Sequence, residues 1–454
     1  MRIEASGRGI VERPLDPALQ TMAIDRVFWS HFSPNLAPSA WVIGVLVGLM
    51  GLDVRTALLA LVAGNVIGGL PVALCAAMGP ATGLPQIEAS RLAFGMAGKR
   101  VPALINWASC VGWDAVNNVP STVALVLLAR ACGVALPFWL ALGLLALAQV
   151  LAGAAGHDVV QAIEKYLGWV LLAAFACSGG FALLHLGAVP PLPHEVGLAG
   201  GTARGADLAL AIRAVASFNL AWAVYASDYT RYLPRGTPPR RIIALTFGGV
   251  CASALMMEMF GLLTARAMGD ASPGAVIAGL GHLAGPLAPL ALAAIALSSV
   301  AINAANDNTA AYALMSAGIR LSRPLSAGVT AGLAYLLSVA GAGRFAALYE
   351  NYLLLALYWI APWCGIVLAD WYGRGRAHPR DDAPDGWAPG ASLFVGVTVL
   401  TILLFSATPL YTGPVARALG GVDIGYLVGF VAAAAGQALL VRRGRVARPV
   451  PEIA

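Results

Sequence analysis

The chain has 454 residues, of which 59% are hydrophobic and only 11% are charged, with a mean hydropathy of +0.78. Soluble domains carry about a quarter charged residues, so the composition excludes an ordinary soluble enzyme. The net charge of +6 does not indicate nucleic-acid binding, because no folded soluble domain is predicted on which basic residues could form a binding face.

Long apolar runs predict an all-α polytopic membrane protein with about twelve transmembrane helices, because a β-barrel would show alternating runs instead. The twelve segments, numbered in chain order, cover residues 29–50, 54–78, 101–130, 135–155, 166–188, 208–230, 242–268, 284–318, 325–341, 347–372, 391–411 and 422–441. Lys and Arg concentrate in every second connection, which predicts a multi-pass protein of the cytoplasmic (inner) membrane with both termini in the cytoplasm. Segment one follows a polar stretch and is too long for a signal-peptide core, so we expect it to be retained.

Segment one contains the sequence SPNLAPS, in which Pro34 and Pro38 each lack a backbone donor and clash with the preceding turn. This pattern is typical of an entry loop with a helix starting at Pro38, or of a discontinuous helix whose half-helix ends face a ligand.

Segment three places Trp113 and Asn117 four residues apart, and hence on one helical face. An indole offers a stacking plane and a carboxamide offers donors and an acceptor, so the pair suits a flat heterocycle. The alternative is that Trp113 only packs against neighbouring helices. Asp114 lies on a different face, and we expect it to pair with a neighbouring polar group because a lone intramembrane carboxylate is costly.

Segment six supports the discontinuous interpretation of segment one. Ser217, Asn219 and Ser227 lie in an otherwise apolar run, and a second five-helix repeat would place this run in the position equivalent to segment one. Interruptions at matching positions of two repeats are the best sequence indication of a transporter's site. The polar side chains could instead hydrogen-bond to a neighbouring helix.

Segments seven and eight contribute further polar residues to the apolar core. Glu258 in segment seven is either a proton carrier or a helix-end carboxylate near the outer surface. Segment eight contains AINAANDN at residues 301–308. Its four polar residues would be costly against lipid; they are Asn303, Asn306, Asp307 and Asn308. We expect these residues to face a ligand site or a structural polar network.

Cysteine and histidine give no sign of a metal site. The six Cys and six His are dispersed, with no CxxC pair and no ligand spacing. We therefore expect no bound metal and no cofactor.

Four stretches together resemble the nucleobase:cation symporter family, which contains cytosine permeases, purine-cytosine permeases, and hydantoin and allantoin transporters. They are GPATGLPQIEASRLAFG (79–95), VGWDAVNN (111–118), ASDYTRYLP (226–234), and ANDN (305–308) followed by YWIAPWCGIVLADW (358–371). The resemblance implies two inverted five-helix repeats with discontinuous segments one and six, plus two further helices. It also implies alternating access to a site between segments one, three, six and eight.

The implied organisation divides the chain into five parts. They are a cytoplasmic N-terminal stretch (1–26), a ten-helix inverted-repeat transport core (27–372), a cytoplasmic loop (373–390), segments eleven and twelve (391–441), and a basic cytoplasmic tail (442–454). The tail could contact anionic lipid at the inner leaflet.

The resemblance implies six substrate-binding residues, which are Ser33, Trp113, Asn117, Asn219, Trp222 and Asn306. Trp113 resembles a stacking platform, and Trp222 is similar to the aromatic residue that closes the sandwich. Asn117 and Asn306 resemble amides that read the edge of the ring. Ser33 is similar to a serine in the unwound part of segment one.

One departure from the family concerns the coupling ion. Sodium-coupled members supply hydroxyl groups from segment eight, but the corresponding positions here are Ala304 and Ala305, or Val300 and Ala301. Because a hard cation requires oxygen ligands, we predict coupling to H⁺ rather than Na⁺. Ser298 and Ser299 are the remaining hydroxyl candidates for Na⁺. The candidate proton carriers are Asp114, Glu258 and Asp307.

Together with these patterns, the resemblance implies secondary active import of cytosine or a purine by alternating access. Allantoin, a hydantoin or a hydroxymethylpyrimidine are alternative substrates, and Na⁺ is the alternative coupling ion. An integral-membrane transferase would need a carboxylate cluster or an activated His, which the sequence lacks, and an open channel would not need broken helices. The expected partners are a small planar heterocycle and membrane lipid, without nucleic acid, and the oligomeric state stays open.

Overall fold

The computed structural model describes residues 13–154, 157–185, 204–265, 272–375, 383–408 and 411–446. These residues are nearly all helical, and the β-type pairing among them is one isolated bridge between Ala407 and Thr412. The predicted all-α architecture is confirmed.

Each of the twelve predicted segments contains a helix, and the helices keep the numbers of the segments. They are α1a (Asp25–Phe32), α1b (Pro38–Leu49), α2 (Val54–Ala76), α3 (Arg100–Ala131), α4 (Phe138–Ala154), α5 (His157–His185), α6a (Arg204–Leu220), α6b (Ala226–Thr230), α7 (Pro239–Thr264), α8 (Ala288–Ser316), α9 (Arg323–Gly341), α10 (Phe345–Gly373), α11 (Pro389–Phe405) and α12 (Gly425–Val446).

Most of these helices have the length and composition of membrane spans. Seven described spans are long and apolar enough to cross a membrane, and the bent pair α1a and α1b supplies an eighth. Helix α3 has 32 residues, more than the roughly 20 that a crossing needs, but polar residues interrupt its apolar surface. Shorter apolar stretches lie in α4, α5 and α11. The number of twelve crossings stays a prediction.

Helix α1 is broken where the sequence places its prolines. Residues Ser33–Asn35 form a 3₁₀ turn, and Leu36 and Ala37 leave helical geometry before α1b starts at Pro38. A proline is tolerated there because the first turn of a helix has no partner for its N–H. The two halves meet at 58°, so the discontinuous interpretation of segment one is confirmed.

Helix α6 is interrupted toward its C-terminal end by a 3₁₀ turn. After α6a, residues Ala221–Val224 form a 3₁₀ turn, and Tyr225 follows with φ −109° and ψ −16°. Helix α6b then continues for five residues. The matching breaks in α1 and α6 agree with inverted repeats, which stay a prediction.

Two glycines let α1b pack closely against α7. A Cβ atom added at Gly44 would lie 1.9 Å from the backbone oxygen of Glu258, and one added at Gly261 would lie 2.1 Å from the backbone oxygen of Trp41. The indole N–H of Trp41 also donates to Thr264 at 3.0 Å. Small residues allow such approaches between membrane helices, where dispersion contacts drive packing.

We therefore expect Gly44→Ala to destabilise the protein by about 1–3 kcal/mol, because the added methyl group meets rigid backbone. The matched control is Gly248→Ala on α7, where no atom lies within 4 Å of the added Cβ. Thermal melting of the purified proteins in detergent measures the difference. Equal melting temperatures for the two variants would contradict the close contact.

Polar bonds close one end of the bundle, where the connection between α2 and α3 meets α6b and α8. Asp228 of α6b accepts the backbone N–H of Gln86 at 2.8 Å and the hydroxyl of Thr309 at 2.6 Å. The hydroxyl of Ser227 donates to the side-chain oxygen of Gln86 at 2.5 Å. Three separate parts of the chain are thereby joined at this end.

A buried ion cluster lies at the same end. Glu88 Oε1 accepts from Lys99 Nζ at 2.5 Å and from Arg91 at 3.2 Å, while Glu88 Oε2 accepts from the hydroxyl of Ser316 at 2.7 Å. The carboxylate of Glu88 is fully buried. We call these four residues the Glu88 cluster.

Candidate functional site

A cavity lies at the break in α6, where this helix faces α3 and α8. It has a volume of about 30 Å³ and is lined by Trp113, Asn117, Phe218, Ala221, Trp222, Tyr225, Ile302 and Asn306. Its lining is mostly apolar with a few placed polar groups, which is typical of ligand pockets. The cavity brings together four of the six residues that the sequence predicted for the substrate.

Surrounding aromatic rings fix the orientation of Trp113. Tyr352 stands edge-on to its indole at a centroid distance of 5.1 Å, and Phe218 does so at 5.9 Å. Gly112 makes room for this arrangement, because a Cβ atom there would lie 2.5 Å from the ring of Tyr352. Edge-to-face contacts of this kind are favourable for aromatic rings and hold the indole in place without a ligand.

Asn117 lines the cavity and has an unused acceptor. Its amide nitrogen donates to the side-chain oxygen of Asn303 at 3.0 Å, which turns its own oxygen away from that contact. The buried Oδ1 of Asn117 has no hydrogen-bond partner among the described residues. An amide group also keeps one further N–H hydrogen after this bond.

Asn306 is held more tightly than Asn117. Its amide nitrogen donates to the backbone oxygen of Cys110 at 2.6 Å and to Asp114 Oδ1 at 2.7 Å. Its oxygen accepts from the hydroxyl of Tyr225 at 2.5 Å. A backbone oxygen can only accept, so this contact fixes which end of the amide is nitrogen. Both donor hydrogens are in use, and Asn306 can offer a ligand only a lone pair.

The break in α6 supplies the two aromatic residues opposite α8. Trp222 lies in the 3₁₀ turn and Tyr225 directly after it, with their ring centroids 5.4 Å apart. A continuous α-helix would present these residues at a different angle, so the break positions both rings at the cavity.

Ser33 and Asn219 do not line the cavity. Ser33 lies against α5, where a Cβ atom at Gly168 would be 2.1 Å from its hydroxyl oxygen. Asn219 points to α2 and donates to the side-chain oxygen of Asn65 at 2.6 Å. Ser33 thus packs against Gly168, and Asn219 is bonded to Asn65.

Asn65 links Asn219 to Glu258 inside the bundle. The amide nitrogen of Asn65 donates to Glu258 Oε2 at 2.5 Å, and the carboxyl group is fully buried. Glu258 therefore lies in the interior, level with the middle of α2, rather than at a helix end near a surface.

Asp114 and Asp307 share one amide from α4. Gln149 Nε2 donates to Asp114 Oδ2 at 2.8 Å and to Asp307 Oδ2 at 3.0 Å. The expectation that Asp114 pairs with neighbouring polar groups is confirmed by Gln149 and Asn306. We call Asp114 and Asp307 the acid pair, and the side chain of Gln149 the bridging amide.

Ser298 and Ser299 bond to the backbone of their own helix. Ser298 donates to the oxygen of Ile295 at 2.8 Å and Ser299 to that of Ala296 at 3.2 Å. Neither lines the cavity. Within the described ranges, no group of three or more His, Cys, Asp or Glu residues is placed to hold a metal ion.

The sequence interpretation missed Asn65, Gln149 and Tyr225. Asn65 and Gln149 each stand alone in an apolar run, and an isolated carboxamide in a membrane helix is costly unless it finds a partner. That cost was a usable signal. Tyr225 gave no comparable signal, because a tyrosine close to a tryptophan is common in membrane helices.

Most of the chain matches one known protein family. Residues 25–429 match the family described as permeases for cytosine/purines, uracil, thiamine and allantoin. The chain belongs to this permease family. The nucleobase:cation symporter resemblance is thereby confirmed, and the family is one of transporters rather than enzymes.

Relatives from bacteria and fungi extend along most of this permease. It is 29% identical to YxlA of Bacillus subtilis, a candidate purine-cytosine permease, with 88% of each chain covered. It is 28% identical to the purine-cytosine permease fcyB of Emericella nidulans, covering 88% of the permease and 81% of the relative.

A solved structure shares the fold. The permease resembles Mhp1, a nucleobase-cation-symport-1 family transporter in a closed conformation with bromovinylhydantoin bound, with a TM-score of 0.78 and 17% identity. The match covers 98% of this chain and 97% of Mhp1.

Proposed function

We propose that this permease imports a nucleobase, cytosine or an amino-substituted purine, across the cytoplasmic membrane by alternating access. The observation that carries the proposal is the cavity with Trp113 and Trp222 in its wall and the unpartnered oxygen of Asn117. Two indoles suit the faces of a planar ring, and the buried amide suits its edge. The relatives named as purine-cytosine permeases support the same substrate class.

The polar groups of the cavity favour a substrate that donates hydrogen bonds. Asn117 has a free acceptor, and Asn306 retains only a lone pair because both its donor hydrogens are in use. The oxygen of Tyr225 can accept as well. An exocyclic amine and a ring N–H supply matching donors, and cytosine carries one more donor hydrogen than uracil, so cytosine fits this set of acceptors better.

We take H⁺ as the coupling ion. The α8 positions where sodium-coupled members have hydroxyl groups are occupied by alanine and valine, which offer no ligand oxygen. Ser298 and Ser299 bond to their own helix backbone. The candidate carriers of the proton are the buried acids Asp114, Glu258 and Asp307.

The proposed orientation follows from the basic connections. With both termini in the cytoplasm, the Glu88 cluster and the bonds of Asp228 close the cytoplasmic end of the bundle. Arg442 and Arg443 then lie at the inner surface, where each basic residue contributes about 1 kcal/mol of attraction to anionic lipid.

Uptake by the full chain in proteoliposomes tests the function. We expect labelled cytosine or adenine to accumulate under an inward proton gradient, at the same rate with and without sodium. Uracil, allantoin, a hydantoin and hydroxymethylpyrimidine serve as competitors. Transport of allantoin or the hydantoin, without transport of cytosine or adenine, would contradict a nucleobase as the substrate. Loss of uptake in sodium-free buffer would contradict proton coupling.

A further inference from the structure

The acid pair lies directly behind the cavity wall and is sealed from solvent. Asp114 is 0% exposed and Asp307 is 2% exposed, and one carboxyl oxygen of each lies within 3.0 Å of the same amide nitrogen. The bridging amide of Gln149 contacts one oxygen of each. The two acids belong to α3 and α8, which pack along each other.

Two carboxylates this close repel each other strongly when both are ionised. No Lys, Arg or His of the described residues forms an ion pair with either acid, so nothing compensates a second negative charge in a water-poor interior. Like-charged carboxyl groups at this range keep one proton between them. The pair therefore holds a single negative charge and one proton.

The hydrogen bonds indicate which acid carries the proton. Both oxygens of Asp114 accept from amides, at 2.7 Å from Asn306 and 2.8 Å from Gln149, which favours its ionised form. Asp307 accepts through one oxygen only, and its buried Oδ1 has no hydrogen-bond partner. The geometry points to Asp307 as the protonated member.

The orientation of Gln149 also argues against a metal cation between the acids. Asn303 Nδ2 donates to the oxygen of Gln149 at 3.1 Å, so the nitrogen end must face the carboxyl groups. Asn303 is itself oriented by donating to the backbone oxygen of Asp114 at 3.4 Å, an atom that can only accept. Donor hydrogens therefore point at the position a cation would need.

Asn306 connects this acid pair to the cavity. It donates to Asp114 on one side and accepts from Tyr225, a wall residue, on the other. We infer that Asp114 and Asp307 form one proton-binding site. Asn306 is a positioning residue that couples the charge of this acid pair to substrate binding in the cavity. This inference rests on the proposed function, because it assigns the proton site of that same transport cycle.

The coupling acts through the charge of Asp114. While Asp307 is protonated, Asp114 alone is anionic and Asn306 stays bonded to it. Loss of the proton adds a second charge, which draws the donor hydrogens of Gln149 and Asn306 more strongly and shifts the amide away from Tyr225. The other titratable side chains near the pair are Cys110, Tyr225 and Tyr352, with Asp228 one step further through Cys110.

Infrared difference spectroscopy on the purified full chain tests the proton site without substrate. We expect a protonated-carboxyl band at neutral pH that disappears in Asp307→Asn and persists in Glu258→Gln, which removes the separate acid bonded to Asn65. The band should shift when cytosine is added to the wild type. A band that survives Asp307→Asn and disappears in Glu258→Gln would overturn the assignment.

Proteoliposomes with the membrane potential held at zero test the coupling. One proton per substrate predicts about tenfold accumulation of cytosine per pH unit in the wild type. Asp307→Asn, which mimics the protonated acid, should exchange cytosine but reach no accumulation, whereas Glu350→Gln, which changes a half-buried acid outside the pair, should still accumulate it. Accumulation by Asp307→Asn would refute the inference while leaving the proposed transport intact. A wild type that carries no cytosine, yet shows the Asp307 band, would refute the proposed substrate and retain the proton site.

Gln149→Met tests the role of the bridging amide through the pH profile of cytosine exchange, which a purely structural role of Gln149 would not change. Losing the bridging amide removes a donor that stabilises the ionised acids, so the pH profile of cytosine exchange should shift upward by about one unit. An unchanged pH profile with reduced protein yield would mean that Gln149 only supports packing, and would count against the inference.

Discussion

Trp113→Ala should lower the affinity of the permease for cytosine roughly 5- to 150-fold. Stacking of a base on an aromatic side chain contributes about 1–3 kcal/mol, and each 1.36 kcal/mol is a factor of ten. Trp113 lines the cavity and is held edge-on by Tyr352 and Phe218, so no neighbouring ring can take its place. Equilibrium binding of labelled cytosine to the purified protein measures the loss.

Two further variants separate binding from folding. Trp113→Phe keeps a ring against the surrounding aromatics and should recover part of the affinity. Trp139→Ala removes a tryptophan that is 59% exposed and does not line the cavity, and its affinity should equal that of the wild type. Unchanged cytosine affinity in Trp113→Ala, with a normal melting temperature, would remove this residue from the site.

Glu88→Gln should cost about 3–5 kcal/mol of stability, the largest effect that we expect on folding. Removing one partner of a buried ion pair leaves the other charge uncompensated, and Glu88 is the shared partner of Lys99 and Arg91. Thermal melting in detergent, read by loss of the monodisperse peak in size-exclusion chromatography, measures the change.

The matched control is Glu350→Gln, a half-buried glutamate without an ion pair or hydrogen bond among the described residues. Its melting temperature should stay close to that of the wild type. Adding Lys99→Met to Glu88→Gln should restore part of the stability, because a neutral pair is better tolerated than an orphan charge. A Glu88→Gln protein that melts with the wild type would show that the cluster contributes little.

The sequence predicted well what lies within one helix. Trp113 and Asn117 share a face because their spacing matches the helical repeat, and both reach the cavity. The polar run of segment eight was predicted to face inward for the same reason, since lipid cannot satisfy its amides. Breaks in α1 and α6 were readable from prolines and polar residues, because both weaken a membrane helix locally.

Relations between helices were not readable in this way. Asn219 was assigned to the site with Trp222, but Gly64 and Gly68 bring α6a so close to α2 that Asn219 is buried against Asn65. Gly168 likewise receives Ser33. Which face of a helix meets which neighbour depends on the small residues of the partner helix, and those glycines carried no mark of their function in the sequence.

The distribution of hydrogen bonds along helix α6 has a mechanical consequence. Before its break, Arg213 and Ser217 donate to backbone oxygens of α10 and Asn219 to α2. From Tyr225 onward, in the part of the chain that is described, Tyr225 and Asp228 bond to α8, while Ser227 and Thr230 bond to the connection after α2 and to the end of α2. Helices α6 and α8 are thus joined by hydrogen bonds from Tyr225 onward, whereas α6a packs mainly on α2 and α10. Separation of α6 from α8 therefore begins most cheaply at α6a, so a solute should first reach Trp113 from that side.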